Sequence, residues 1–149
     1  MDKIGGDNMY IEFGLKNNIP YVESDINKRN QSVLLSEYEQ EFLNTIFEIL
    51  DNAEFDIDII YLERRTNNYL SLVINNDIDF LRVKITDRTK WFSLDMWWSN
   101  KGEYDKDERI SSDVNKKQRH WKFKFNCFDD IVSYQDLICN SYKQCSTRG

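Results

Sequence analysis

The chain has 149 residues and a mass of 18.0 kDa, a length that fits one domain. Apolar residues make up 40% of the sequence and aromatic residues 14%, which excludes the class of disordered proteins. The net charge is −6, and no apolar run reaches the ~20 residues that span a bilayer. The first ten residues have no apolar stretch of the kind found in signal peptides, so we expect none. We therefore expect a soluble cytoplasmic protein with no membrane partner.

The charge is distributed unevenly along the chain. Residues 1–56 carry a net charge of −8, residues 57–125 carry +3 and residues 126–149 carry −1. An acidic N-terminal third disfavours contact with nucleic acid in that region, whereas the mildly basic middle is compatible with it.

The cysteines, Cys127, Cys139 and Cys145, all lie in the last quarter of the chain, and His120 is the only histidine. An odd number of cysteines without a CxxC pair indicates neither a disulfide framework nor a zinc ribbon. A zinc site built from these four residues would have spacings that match no common zinc finger. We interpret the cysteines as free, buried thiols and expect no cofactor.

The N-terminal region is polar and weakly patterned. We expect residues 1–8 to form a flexible tail and residues 9–149 to form a single α+β domain. Residues 9–13 and 21–24 are candidate short strands, the second of them inside the Asn-rich stretch 14–35.

A helix is predicted over residues 37–53. Ser36 and Glu39 form an S-x-x-E capping box, which marks a helix start. Apolar residues then recur at helical spacing and form one wide stripe. The stripe consists of Phe42, Leu43, Ile46, Phe47 and Leu50.

After this helix the pattern becomes that of strands separated by short turns. Turns of two to four residues join antiparallel neighbours, so the first four strands form a meander. Apolar residues after Asp129 predict a second helix. The fold class is therefore α+β, an antiparallel meander of about five strands packed on two helices, one before and one after the sheet. The predicted strands cover residues 57–64, 69–75, 78–85, 90–98 and 120–125.

Alternation along the last three strands assigns their side chains to two faces. The inner face, which should pack beneath the helices, carries Leu81, Val83, Ile85, Phe92, Leu94, Met96, Trp98, Trp121, Phe123 and Phe125. The outer face carries Arg82, Lys84, Trp91, Ser93, Asp95, Trp97, His120, Lys122 and Lys124.

Few arrangements of residues point to catalysis. A nucleophile activated by histidine would have to use His120, which we interpret as a surface residue on a solvated strand. The glycines fit no phosphate-binding loop. Carboxylates are the stronger candidates, namely Asp56 with Asp58 and Asp77 with Asp79, followed by Glu63 and Lys84.

A helix followed by a meander with such residues resembles the layout of small metal-dependent nucleases. In those enzymes, paired carboxylates hold Mg²⁺ and a lysine helps to orient the attacking water. This sequence departs from that pattern, because Arg82 stands two residues before Lys84 where an acidic residue is expected. Aspartates at strand ends are also common turn formers.

Two surfaces are candidates for binding. The first is the outer sheet face, where aromatic and basic residues together can stack bases and neutralise phosphates or anchor a protein partner. A third interpretation is that the N-terminal 35 residues cover this face. The candidate binding residues of the outer sheet face are Arg82, Lys84, Trp91, Trp97, Lys122 and Lys124.

The second surface is an acidic strip on the first helix, formed by Glu37, Glu41 and Glu48. A negative strip suits a basic partner, although it is also what a merely solvated helix face looks like.

We expect a non-enzymatic binding or inhibitor protein that acts through protein–protein contacts, with a nucleic-acid-binding host protein as one kind of partner. A short, acidic chain without motifs is typical of proteins encoded by phages or mobile elements, including antagonists of host defence such as anti-CRISPR proteins. The alternatives are a nucleic-acid-binding sheet module and a small metal-dependent nuclease. The oligomeric state is left open.

Overall fold

A computed structural model of the chain describes residues 8–10, 34–75 and 77–147. The candidate strand at 21–24 and all but the last residue of the tail predicted at 1–8 lie outside the described residues.

The chain first forms a two-stranded antiparallel sheet. Strand β1 (Asn8–Tyr10) pairs with β2 (Leu34–Ser36), and Met9 lies opposite Leu35. The sequence pattern predicted a strand at the first position but none at the second. Helix α1 (Glu37–Asn52) follows β2 directly, and its bounds confirm the predicted helix to within one residue.

The main sheet has five strands that pair in chain order, each antiparallel to its neighbour. This meander, with helices before and after it, confirms the predicted α+β class. Asn67, Asn68 and Asp77 adopt positive φ angles in the turns on either side of β4, a conformation that Asn and Asp tolerate better than most residues. The strands are β3 (Tyr61–Arg64), β4 (Leu70–Ile74), β5 (Ile78–Ile85), β6 (Lys90–Asp95) and β7 (His120–Lys124).

Strands β4 and β7 end within one residue of the predicted bounds, whereas β3 and β6 are four and three residues shorter than predicted because aspartate side chains bond to the backbone. The strand expected over 57–64 begins only at Tyr61, because Asp56 accepts a hydrogen bond from the Asp58 amide (2.9 Å) and starts a 3₁₀ turn. The strand expected over 90–98 ends at Asp95, whose carboxylate accepts one from the Trp97 amide (3.1 Å).

The core lies between the inner face of the sheet and the helices. The Phe42 ring of α1 lies 6.0 Å from Phe92 of β6 and 5.8 Å from Phe125, measured between ring centroids. The predicted inner face is confirmed, since every residue assigned to it is buried except Trp98, which is half-buried. Aromatic rings therefore join α1 to the last two strands.

The predicted C-terminal helix is two helices, α2 (Asp129–Val132) and α3 (Gln135–Ser146). They are interrupted at Tyr134, whose ring packs against Phe92 and Phe123 with centroid distances of 5.5 and 5.0 Å. Within the described part of the chain, no helix has both the length and the apolar composition that crossing a membrane requires.

Candidate functional site

Helix α1 presents three of its glutamates on the side away from the sheet. Glu37, Glu41 and Glu48 are all exposed. At about 100° of rotation per residue they fall within about 40° of one another. The buried residues of α1 lie on the opposite side of the helix. The structure thus brings the three predicted glutamates into one exposed line.

The acidic region extends beyond this line. Residues 37–63 contain nine carboxylates and neither Lys nor Arg. Two of the nine are held by cations: Glu39 pairs with Arg64 and Glu63 pairs with Arg65. The other seven are exposed, and none forms an ion pair with any residue that the structure describes. We call these seven the acidic surface: Glu37, Glu41, Glu48, Asp51, Glu54, Asp56 and Asp58.

Sequence reasoning identified only three of these seven as binding residues. It assigned Asp56 and Asp58 to metal chemistry and did not consider Asp51 or Glu54. The signal that identifies the whole set is the absence of any Lys or Arg over residues 37–63.

Two large apolar side chains are also exposed in this stretch. Tyr38 is 50% exposed and Ile59 is 39% exposed. Exposed apolar groups set among charges are typical of surfaces that bind another protein.

The other candidate carboxylates are engaged in internal contacts. Asp77 accepts a hydrogen bond from the Tyr61 hydroxyl (3.0 Å), and Asp79 is bound by Arg65 and Arg82. Among residues 8–10, 34–75 and 77–147, no three His, Cys, Asp or Glu side chains are placed to hold a metal ion together.

On the outer sheet face, the strand register brings the predicted basic and aromatic residues together. Trp91 lies between Lys84 of β5 and Lys124 of β7. Lys122 Nζ lies 4.3 Å from the centroid of the Trp91 ring, which is a cation–π distance. Lys84, Lys122 and Lys124 form no ion pair with a described residue. We call these lysines and Trp91 the basic face.

The basic face continues toward β4 through Tyr69. The rings of Tyr69 and Trp91 are 6.2 Å apart, and the Arg82 guanidinium lies 5.9 Å from the Tyr69 centroid. Each ring therefore has a cation over it.

Trp97 is not part of this arrangement on the strands. The prediction that it lies on the outer face of β6 is wrong, because β6 ends at Asp95 and Trp97 follows in a turn. Trp97 is 46% exposed and Trp91 is half-buried. The interpretation that the N-terminal residues cover this face concerns residues that lie mostly outside those described.

A network of arginines and aspartates lies next to the basic face. Asp79, 9% exposed, accepts hydrogen bonds from Arg65 Nη2 (2.6 Å), Ser71 Oγ (3.0 Å) and Arg82 Nε (3.0 Å). Asp95, 1% exposed, accepts one from Arg119 Nε (2.8 Å). Both buried carboxylates are thus paired with arginine, as buried charges need to be.

His120 belongs to this network and is not the solvated surface residue that alternation predicted. Burial, together with the nearby Arg82 charge, lowers the pKa of His120 to about 4, so the ring is neutral at pH 7. Nε2 lies 2.9 Å from the Asp79 carbonyl oxygen and must donate to it, which leaves Nδ1 to accept from the Ser93 hydroxyl at 2.9 Å. Ser93 is only 3% exposed, so its hydroxyl is not placed to act as a nucleophile on a substrate.

The cysteines differ in exposure and do not converge. Cys127 is exposed, which contradicts the expectation that all three are buried, while Cys139 is half-buried and Cys145 is buried. Burial raises the pKa of the Cys145 thiol to about 12, so this thiol stays protonated and unreactive.

The two candidate surfaces lie on opposite sides of the sheet and carry opposite charge. Helix α1 covers the inner face, and its exposed Glu37, Glu41 and Glu48 lie on the side away from it, while the lysines lie on the outer face. Comparison with known proteins finds no family model, no curated protein and no solved structure that matches this chain. What the protein binds therefore has to follow from its own surfaces.

Proposed function

We propose that this protein is a non-enzymatic binding protein whose acidic surface docks on a basic surface of another protein. The observation that carries the proposal is the group of seven exposed carboxylates that have no cation partner among the described residues. Like charges concentrated in one stretch of the surface repel one another, and a basic partner relieves that repulsion.

Charge and apolar contact would have different roles in such a complex. Complementary charges mainly raise the rate of encounter and select the partner. Affinity usually comes from a few apolar side chains that become buried, and Tyr38 and Ile59 are exposed in the same stretch of chain. The acidic surface therefore offers both steering and anchoring groups.

The partner that fits this chemistry is a protein with a dense positive surface, such as one that binds nucleic acid. A line of carboxylates on such a surface would compete with phosphates, so the protein would act as an inhibitor. We include here an antagonist of a host defence, of the anti-CRISPR kind and encoded by a phage or mobile element.

Binding of nucleic acid to the basic face is the second candidate. The three lysines without ion pairs and the neighbouring rings of Tyr69 and Trp91 favour it. Two observations rank it below the first candidate. Lys122 and Arg82 already lie over the rings on which bases would stack, and the net charge of −6 opposes the approach of a polyanion.

The test compares two triple charge reversals that change net charge equally. In the first, Glu37, Glu41 and Glu48 are replaced by Lys. In the second, the matched control, Asp87, Glu103 and Glu108 are replaced by Lys; all three are exposed and lie outside the acidic surface. Each tagged variant is used to capture proteins from a lysate of the organism in which the protein acts, with and without nuclease.

We expect the wild type and the control to capture the same protein after nuclease treatment and the α1 variant to lose it. The interaction should also weaken with salt, because exposed charges are screened. Equal loss in both variants would mean that only net charge matters. Loss of capture after nuclease treatment would favour the second candidate.

A further inference from the structure

A cleft of about 780 Å³ opens beside the basic face, on the opposite side of the sheet from helix α1. This volume lies within the ~300–1,000 Å³ that sites for small ligands usually have. The cleft is lined, among others, by Tyr69, Arg82, Arg119 and His120, whose side chains could contact a ligand.

Arg82 and Arg119 are held in the cleft in the same way. Each donates a hydrogen bond from Nε to a buried carboxylate, Arg82 to Asp79 at 3.0 Å and Arg119 to Asp95 at 2.8 Å. Within the described residues, neither arginine uses its Nη atoms in a hydrogen bond. Their side chains are 34% and 52% exposed. Two guanidinium groups are thus anchored at one nitrogen while the others stay available.

This arrangement suits recognition of an oxyanion. The Nη atoms of arginine carry N–H groups in a rigid fork that matches the oxygens of a carboxylate or phosphate. Anchoring through Nε restricts the side chain before a ligand arrives, which lowers the entropic cost of binding.

The rest of the cleft wall is preorganised as well. Both ring nitrogens of His120 are engaged, by the Asp79 carbonyl oxygen and by Ser93 Oγ, so the ring is fixed in place. Tyr69 adds an aromatic surface beneath Arg82, next to which the organic part of a ligand can lie.

We propose that this cleft is a binding site for a small organic anion, whose carboxylate or phosphate group is held by Arg82 and Arg119. The site does not depend on the acidic surface, because none of the seven carboxylates of that surface is among the described residues that line the cleft.

The charges lining the cleft also predict what kind of binding to expect. Among the described residues that line the cleft, three arginines, Arg65, Arg82 and Arg119, face three aspartates, Asp77, Asp79 and Asp95. Formal charge is balanced among these six residues, and selectivity should come from the geometry of hydrogen bonds. A spherical ion such as chloride should compete poorly with a ligand that has a pair of oxygens.

The experiment uses the full chain and defined probes. Adenosine monophosphate represents phosphates, benzoate represents carboxylates, and adenosine and benzyl alcohol are the matched compounds without an oxyanion. Binding is followed by the NMR signals of the arginine Nε–H groups. We expect one of the two anions to bind with a Kd below about 1 mM and to shift the Arg82 and Arg119 signals. The two neutral compounds should shift neither.

Variants distinguish binding in the cleft from a nonspecific effect of positive charge. Arg119→Gln should weaken binding at least about tenfold, while Arg88→Gln, at an exposed turn outside the cleft, should leave it unchanged. Because Arg119→Gln also removes the ion pair between Arg119 and Asp95, Arg119→Lys is the second variant. It keeps a cation beside Asp95 but lacks the fork, and it should also weaken binding about tenfold.

The proposal is overturned if neither anion shifts the Arg82 and Arg119 signals at about 10 mM, a concentration well above the expected Kd. It is also overturned if Arg119→Lys binds like the wild type, or if Arg88→Gln loses as much affinity as Arg119→Gln. A preference for adenosine monophosphate or for benzoate identifies which oxyanion the site takes.

Discussion

Glu39 caps helix α1 and, with the same carboxylate, holds Arg64 of strand β3. Its Oε1 atom accepts hydrogen bonds from the Ser36 amide (3.0 Å) and from Arg64 Nη2 (2.8 Å), while Oε2 accepts from Arg64 Nη1 (2.7 Å). The Glu39 side chain is 6% exposed and that of Arg64 is 31% exposed. One residue thus fixes the start of the helix against the edge of the sheet.

Glu39→Gln should destabilise the fold by about 1–3 kcal/mol. Glutamine keeps an oxygen for the Ser36 amide. However, it is neutral and has only one side-chain oxygen, so it cannot form the two charged hydrogen bonds that Glu39 forms with the Arg64 guanidinium. The free energy of unfolding, measured with urea, checks this. Glu41→Gln, an exposed position on the same helix, is the control and should change it by less than about 0.5 kcal/mol. Equal effects of the two substitutions would show that the ion pair contributes nothing.

Truncation of a core aromatic side chain should lower the free energy of unfolding by more than Glu39→Gln does. Phe42→Ala or Phe123→Ala should lower the free energy of unfolding by about 3–5 kcal/mol, because each removes a ring that packs against Phe92. Tyr38→Ala, at a 50% exposed position of α1, is the control and should have little effect. If both core variants melt like the wild type, the packing of α1 on the inner face is wrong.

His120 should make stability depend on pH. Its pKa is about 4 in the folded protein and about 6.5 when unfolded, so only the unfolded chain takes up a proton between these values. The contribution of the neutral ring is therefore complete above pH ~6.5 and is lost as the pH falls toward 4. When the pH is lowered from 7 to 5, the free energy of unfolding of the wild type should fall by roughly 1–2 kcal/mol more than that of His120→Gln.

Titration of the His120 ring followed by NMR tests the lowered pKa of His120 directly. The chain contains one histidine, so its NMR signals need no assignment by mutation. The ring should still be neutral at pH 5.5. A titration midpoint near 6.5 would contradict the buried position of His120.

The basic face should bind single-stranded nucleic acid weakly or not at all if the first candidate function is right. Oligo(dT) titrated into the protein, with tryptophan fluorescence as the signal, checks this. If binding occurs after all, Trp91→Ala should lower the free energy of binding by ~1–3 kcal/mol with little change in its salt dependence. Lys122→Ala should instead reduce the slope of affinity against salt, because a phosphate contact releases counterions. Both effects together would support the second candidate.

Much of the fold could be predicted because local chemistry and tertiary packing agree. The capping box and apolar stripe of α1 mark a helix whose buried face is the one that meets the sheet. Strand β5 coincides with the predicted residues 78–85, and its alternation holds from Leu81 to Ile85. Before that point a register shift against β4 interrupts the alternation, and Asp79, Phe80 and Leu81 are all buried. Errors occurred at Asp56 and Asp95, where a side chain bonds to a nearby amide and ends the extended conformation.

The site was harder to predict because its residues are far apart in the sequence. Helical periodicity was enough to align Glu37, Glu41 and Glu48. Alternation placed His120 on the outer face, but it could not show that this part of the face is occupied by charged pairs. Arg119 pairs with Asp95, 24 residues earlier, and that contact depends on the register between β6 and β7.

The central claim is that α1 and the turn after it contact the partner. Zero-length carbodiimide cross-linking of the complex, followed by mass spectrometry, tests it most directly, because the reagent joins a carboxylate on one protein to a lysine on the other only where the two touch. We expect cross-links from Glu37, Glu41 or Glu48 to partner lysines, and none from the exposed Asp87 and Glu103. Cross-links from Lys84, Lys122 or Lys124 to partner carboxylates, with none from α1, would contradict the proposal and move the interface to the basic face.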